Sequence, residues 1–99
     1  MKTEGMVETI TLEEFWNPEE RGEQIEGVVV EKRGEVGKYK SSLYKLENDS
    51  KIHCIWGSLK LDELMKPVHM GDYVIIRYMG IIKTNKYTMK NFSLEIVLD

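Results

Sequence analysis

The sequence predicts an all-β fold: a five-stranded Greek-key barrel with a short helix between strands 3 and 4 and a short N-terminal helical turn. Five segments rich in β-branched and aromatic residues are separated by turns that contain glycine, asparagine or aspartate. One amphipathic helical segment follows the third of them. Gly27 and Gly80 interrupt the first and fourth segments, where a bend lets a long strand serve both halves of a small barrel. Closure would remove the exposed edges that five short strands otherwise leave.

Charge divides the chain into two parts. Residues 1–27 carry eight acidic and two basic side chains, a net charge of −6, whereas residues 28–99 carry twelve basic and nine acidic ones, a net charge of +3. We therefore predict an acidic N-terminal leader with a short helix at residues 1–22 and a barrel domain at residues 23–99. A chain of 99 residues is too short for a second core.

The leader contains a helix-start signal. In ITLEEFW, Thr11 and Glu14 have the spacing of a capping box, and Pro18 would stop the helix after one or two turns. We expect Phe15 or Trp16 to pack on the barrel. An acidic leader can also dock on a protein partner, or shield a basic groove from nucleic acid.

The first three barrel strands and the helix follow in order. Strand 1 is EQIEGVVVEKR, strand 2 is KYKSSLYKLE and strand 3 is IHCIWG, with GEVG and NDSK as the turns between them. Ser58 can cap the helix LKLDELMK, and Pro67 ends it. We expect one face of this helix to be buried at one end of the barrel, with the side chains of Leu61, Leu64 and Met65.

The last two strands complete the pattern. Strand 4, HMGDYVIIRYMGIIK, starts at the Gly71-Asp72 turn, and strand 5 is YTMKNFSLEIVL, with Phe92, Leu94 and Ile96 on one face. Three strands, a helix and two strands is the order of a barrel of the oligonucleotide/oligosaccharide-binding (OB) type. An SH3-like barrel is the alternative, but that class rarely has a helix of this length between its third and fourth strands.

Two basic, aromatic-containing loops fall where an OB barrel binds its ligand. The loops between strands 1 and 2 and between strands 4 and 5 flank the ligand-binding face of strands 2 and 3. Lysines can contact phosphates and release counterions, and each base can stack on an aromatic ring. The candidate residues are Lys32, Arg33, Lys38, Tyr39 and Lys40 on the flanks of the first loop and Lys83, Lys86, Tyr87 and Lys90 in and beside the second. We therefore expect single-stranded nucleic acid as the partner, DNA first and RNA as the alternative.

Period-two alternation predicts which strand residues point outward. The side chains expected inside are Tyr44, Leu46, Val74, Ile76 and Tyr78. Those expected on the outer, ligand-facing side are Lys45, His53 and Arg77, with Leu43 and Ile55. Trp56 lies two residues after Cys54 and is therefore expected on the same side of strand 3. That position favours the core, and base stacking is the alternative. A register shift of one residue would exchange the faces.

From about residue 15 to residue 99, the chain resembles small OB-fold single-stranded DNA-binding proteins of the archaeal replication-protein-A type and of phages. The residues that carry the resemblance are GEQIEGVVVEK, YKLEND leading to IWGSLKLDELM, and VHMGDYVIIRYMG. It implies an OB barrel that binds single-stranded DNA with little sequence preference, in replication, repair or recombination, and it supplies no catalytic residue. The four-cysteine zinc module of some replication-protein-A subunits is missing from this sequence, which has one cysteine.

Other function classes receive little support from the sequence. Cys54 has no cysteine partner, His53 and His69 have no partners at metal-ligand spacing, and no phosphate-loop or nucleophile motif is present. We expect no enzyme activity, no cofactor and no metal. No apolar run is long enough to cross a membrane and the N-terminus does not resemble a signal peptide, so the sequence predicts a cytoplasmic protein without membrane contact.

A second function remains open at the level of sequence. The net charge of −3 favours a protein-interaction OB domain, a subunit of a larger replication or RNA-related complex, because strong non-specific nucleic-acid binders are commonly basic. The net charge of +3 on residues 28–99 and the two basic loops favour DNA binding instead.

Overall fold

The structure, a computed structural model, describes residues 12–98. Within that range the chain forms six strands and one helix, which follow the order β1 (Leu12–Phe15), β2 (Gln24–Val36), β3 (Ser41–Asn48), β4 (Lys51–Trp56), α1 (Leu59–Met65), β5 (Tyr73–Lys83) and β6 (Thr88–Val97). No helix among the described residues is long and apolar enough to span a membrane.

All six strands belong to one sheet, in the order β1-β4-β3-β2-β5-β6. The β1–β4 pair is parallel and the other neighbours are antiparallel. Strands β2, β3 and β4 form consecutive hairpins, and β5 returns to pair with β2, which is the predicted Greek-key order. The predicted closed barrel is wrong: the sheet is open over residues 12–98, and the edge of β4 that closure requires is paired with β1.

The predicted N-terminal helical turn is also wrong. Residues Leu12–Phe15 form strand β1, while the proposed cap, Thr11, lies outside the described residues. A helix of one or two turns is not stable by itself, whereas the edge of β4 offers a complete set of backbone partners. Because β1 is an additional strand, α1 follows the fourth strand of the chain and not the third. Strand β1 thus belongs to the same sheet as residues 24–97.

The segment after β1 spans the gap between β4 and β6. Trp16 donates its backbone N–H to the Cys54 carbonyl at 2.7 Å, and its ring lies 6.0 Å from that of Phe92 on β6. The Lys90 ammonium, also on β6, donates to Asn17 Oδ1 at 2.8 Å and to the Pro18 carbonyl. Residues 16–18 therefore connect β4 to β6, the two strands that would pair directly in a closed barrel.

The core lies between the inner side of the sheet and α1. Tyr44, Leu46, Val74, Ile76 and Tyr78 are buried as predicted, and so is Phe92 on β6. Leu61 and Met65 are fully buried as predicted, while Leu64 is half-buried against the same cluster. Ser58 caps α1 as predicted, because its hydroxyl accepts a hydrogen bond from the Leu61 N–H at 3.3 Å.

The two strand glycines have different roles. Gly80 has a φ of +98°, and the β5–β6 register shifts between Tyr78 and Gly80, which confirms the predicted bend. Gly27 instead permits close approach: a Cβ there would lie 2.6 Å from the Glu47 carbonyl oxygen of β3. The register shifts of β2 begin further along, after Val29.

Candidate nucleic-acid interface

The pairing of β3 with β4 defines the candidate surface. Leu43 is opposite Trp56 and Lys45 is opposite Cys54, so these four side chains share one side of the sheet, here called the outer β3–β4 face. Ile55 lies on the other side, within the core cluster. The expected side of the sheet is confirmed for Leu43 and Lys45 on β3, although Leu43 is buried. The expected alternation of β4 is wrong: Trp56 lies on the outer side, and Ile55 and His53 have the opposite parity.

Trp56 borders an aromatic cleft on this face. The exposed fraction is 45% for Trp56 and 82% for Tyr39. Together with Lys38, they line a depression of about 280 Å³ whose remaining wall is Val36, Gly37 and Ser41. The Lys38 ammonium lies 5.7 Å from the centre of the Tyr39 ring. This combination of exposed rings and an adjacent cation can take a planar aromatic group that carries negative charge.

A second depression, of about 320 Å³, lies on the other side of Trp56. It is lined by Phe15, Trp16, Asn17, Pro18, Ile55, Trp56 and Phe92. The Phe15 ring stacks on Trp56, with ring centres 5.6 Å apart and planes inclined by 15°. Trp56 is thus located between the β2–β3 turn and the segment that reaches β6, and β1 supplies a ring that already stacks on it.

Lys45, in the middle of the outer β3–β4 face, is paired with carboxylates. Its ammonium lies 3.2 Å from Glu13 Oε1 and 3.9 Å from Glu31 Oε1, and its side chain is 19% exposed. The hydrogen bond that Lys45 donates to the Glu13 carboxylate raises the pKa of Lys45, against a smaller opposing effect of desolvation. Glu31 also pairs with Arg33, at 3.1 Å. Two of the predicted cations therefore have internal counterions in this structure.

Lys32 has a structural contact. Its ammonium donates to the carbonyls of Met65 and Val68 at 3.0 and 2.7 Å, next to the C-terminal end of α1. The Met65 carbonyl is the last of α1 and has no partner within the helix, and Lys32 adds a donor to that of the Val68 N–H. Lys32 pairs with Tyr44 across the strands, which places it away from the outer β3–β4 face.

His53 and Arg77 are separated from the aromatic cleft. His53 pairs with Leu46 and borders a depression formed with Asn48, Asp49 and Lys51. Arg77 lies on β5, where its guanidinium donates to Gln24 Oε1 at 2.9 and 3.1 Å. The structure does not bring either residue into the group around Trp56.

The β5–β6 turn presents three of its four candidate residues to solvent. Thr84 Oγ1 accepts from the N–H groups of Lys86 and Tyr87 at 3.2 and 3.0 Å, which fixes the turn. Lys83 and Lys86 are exposed, and Tyr87 is 49% exposed. Lys90 differs, because it binds residues 17 and 18 and lies 5.4 Å from the ring centre of Tyr78.

The β2–β3 turn exposes Lys38, Tyr39 and Lys40, which were predicted to begin strand 2. The predicted turn, GEVG, instead forms the end of β2 and the first residue of the turn. Lys40 has a φ of +53° and donates its N–H to the Gly37 carbonyl at 3.2 Å, which closes the turn. Two contact residues were missing from the sequence-based set, namely Glu13 and Phe15. No period-two alternation could have indicated them, because Leu12–Phe15 is apolar at both ends and acidic at the two central residues.

No protein-family model, no curated protein and no solved structure matches this chain. The resemblance to OB-fold single-stranded DNA-binding proteins therefore stays a prediction. Within residues 12–98, no three His, Cys, Asp or Glu side chains are grouped so that they could hold a metal ion.

Proposed function

We propose that this protein binds single-stranded DNA with little sequence preference, as an OB-type module in which the strand follows the outer β3–β4 face. The observation that carries the proposal is the aromatic cleft, where Tyr39 and Trp56 are exposed beside Lys38. A soluble domain rarely exposes such rings together unless the surface binds something. Neighbouring ammonium groups select a ligand that is both aromatic and anionic.

The two basic turns supply the ionic part of the proposed contact. Lys38 and Lys40 lie on the β2–β3 turn, and Lys83 and Lys86 on the β5–β6 turn, all exposed. Each phosphate neutralised in a single strand releases about 0.7 counterion. Each base stacked on an aromatic ring adds about 1 to 3 kcal/mol. Neither contact reads the edge of a base, so binding should tolerate different sequences.

A role in replication, repair or recombination inside the cell follows from this ligand and is part of the proposal. RNA could use the same stacking and phosphate contacts. Direct competition between dT and rU oligonucleotides of equal length measures the preference, because only the RNA carries a 2′-hydroxyl.

A protein-interaction domain is the second candidate. Two observations favour it: the net charge of −3, and the exposed Val97 and Leu98 at the end of the edge strand β6. An exposed strand edge with apolar residues can pair with a strand of another protein.

Titration with dT oligonucleotides distinguishes the two candidates. Fluorescence anisotropy of labelled dT should show binding at about 50 mM salt and weaker binding at about 200 mM. Trp56→Ala should weaken binding by about 1 to 3 kcal/mol. The matched control is Leu59→Ala, an exposed apolar truncation on α1. Absence of any anisotropy change at the lower salt would rule out the DNA proposal and favour the second candidate.

A further inference from the structure

Strand β1 places two side chains on the outer β3–β4 face. Its parallel register sets Glu13 beside Ile52 and Phe15 beside Cys54, so both point to the side of Trp56 and Lys45. Glu14, one residue away, has the opposite parity, and its carboxylate lies 3.5 Å from the Lys51 ammonium.

The contacts of these two side chains are those that a nucleotide would make. The Glu13 carboxylate lies 3.2 Å from the Lys45 ammonium, where a phosphate oxygen could bind. The Phe15 ring stacks on Trp56 at 5.6 Å, in the offset-parallel manner of a base on an indole. One short segment thus offers an anion and a planar ring to the cation and the ring of the proposed site.

Strand β1 is held weakly, but the segment that follows it is anchored. All four residues of β1 are exposed, and its pairing uses one edge of β4. Trp16 is half-buried against the core, and Pro18 is buried and held by Lys90. A strand with few buried contacts belongs to the part of a protein that opens first. Residues 12–15 can therefore leave β4 while residues 16–18 stay in place.

We infer that β1 is an internal competitor for the DNA strand: Glu13 and Phe15 occupy Lys45 and Trp56 until a phosphate and a base displace them. The inference rests on the proposed function and adds regulation of the same site. When the strand binds, a phosphate replaces the Glu13 carboxylate at Lys45 and a base replaces the Phe15 ring at Trp56. These new contacts offset the free energy lost when β1 leaves β4. It also explains how an acidic leader and a DNA-binding face coexist in one chain.

Glu13→Gln, compared with Glu14→Gln, tests the inference. Both variants remove one negative charge from the same strand, so their long-range electrostatic effects match. Only Glu13→Gln removes the nearer of the two carboxylates that pair with Lys45. We expect it to bind dT oligonucleotides about threefold to tenfold more tightly than Glu14→Gln, as when one charge-assisted contact becomes available. The slope of log K against log salt should steepen by about 0.7, for one additional phosphate contact.

Phe15→Ala tests the aromatic half of the competition. It should bind dT more tightly than the parent protein and reach half-maximal tryptophan quenching at a lower dT concentration, because no phenyl ring has to be displaced from Trp56. Cys54 supplies a readout without DNA: its Sγ is buried and lies 3.8 Å from Glu13 Oε1. Thiol labelling should be faster in Phe15→Ala and Glu13→Gln than in Glu14→Gln, at equal melting temperature.

The possible outcomes separate this inference from the proposed function. If the parent and all three variants fail to bind dT at about 50 mM salt, both the proposed function and the competition are overturned. If the parent binds, and Glu13→Gln and Glu14→Gln bind with equal affinity and equal salt slope, the competition is overturned and the proposed function stands. Weaker binding by Phe15→Ala than by the parent would also overturn the competition, since Phe15 would then be a contact to DNA.

Discussion

The Tyr44 hydroxyl donates a hydrogen bond to Asp62 Oδ1 at 2.6 Å, and this contact joins β3 to α1. The Tyr44 side chain is buried within the core cluster, so its hydroxyl requires a partner there. The charge of the carboxylate strengthens the bond. This pair therefore helps to hold the helix against the inner side of the sheet, opposite the candidate binding face.

Tyr44→Phe should lower the free energy of unfolding by about 1 to 2 kcal/mol, because it removes one hydrogen bond to a charged acceptor. Urea denaturation followed by circular dichroism measures the change. Tyr73→Phe is the matched control: the Tyr73 hydroxyl donates to Glu26 Oε2 at 2.7 Å, but its surroundings are more open. We expect a smaller loss for the control, and an equal or larger one would contradict the assigned role of the Tyr44–Asp62 pair. Neither change should alter DNA affinity.

The same pair predicts a loss of stability at high pH. Burial, followed by the hydrogen bond to Asp62, raises the pKa of Tyr44 from 10.0 to about 12. A group whose pKa is raised by folding contributes its full stability below the pKa of the unfolded chain and loses it as the pH rises through the folded value. Stability should therefore decline between about pH 10 and pH 12, and this decline should be smaller in Tyr44→Phe. Urea midpoints across that range, with tyrosinate absorbance recorded in parallel, provide the measurement.

The local elements of the fold could be predicted from the sequence because short-range signals define them. Ser58 caps α1, Gly80 marks the bend in β5, and the turns separate the strands in Greek-key order. The closure of the sheet could not be predicted in the same way. It depends on which segment pairs with the edge of β4, and a four-residue strand such as β1 has too few residues for a strong periodic signal.

The candidate site was predictable in its turns but not on its strands. Tyr39 and Tyr87 are exposed because they lie at or beside turns, where no core is within reach. Alternation does not determine the side of Trp56, because IHCIW has apolar residues at both parities. The turn at Asp49 and Ser50, both with positive φ, determines the pairing of β3 with β4 and hence the side of Trp56.

Lys32 and Lys38 should behave differently although both belong to the predicted basic loop. Lys32→Met removes the donor to two carbonyls near the end of α1 and should cost about 1 kcal/mol of stability, with little effect on the salt dependence of DNA binding. Lys38→Met should leave stability unchanged and reduce the slope of log K against log salt by about 0.7.

Thermal melting and dT titration at several salt concentrations measure both effects for the two lysine variants. Each variant serves as the control for the other, because each removes one positive charge. A reduced salt slope in Lys32→Met at an unchanged melting temperature would mean that its ammonium leaves the carbonyls to bind phosphate.

The last prediction concerns the β5–β6 turn, where Lys83 and Lys86 are exposed and Lys90 is held by residues 17 and 18. Replacing Lys83 and Lys86 together by Ala should reduce the salt slope by about 1.4, at about 0.7 for each phosphate contact. Tyr87→Ala should weaken binding by about 1 to 3 kcal/mol without changing the slope, because stacking releases few ions.

Lys90→Ala should chiefly lower stability, since it detaches the segment that joins β4 to β6. Titrations with dT and thermal melts of all three variants provide the measurement. If the double variant keeps the affinity and salt slope of the parent, the strand does not reach this turn, and the contact is confined to the aromatic cleft.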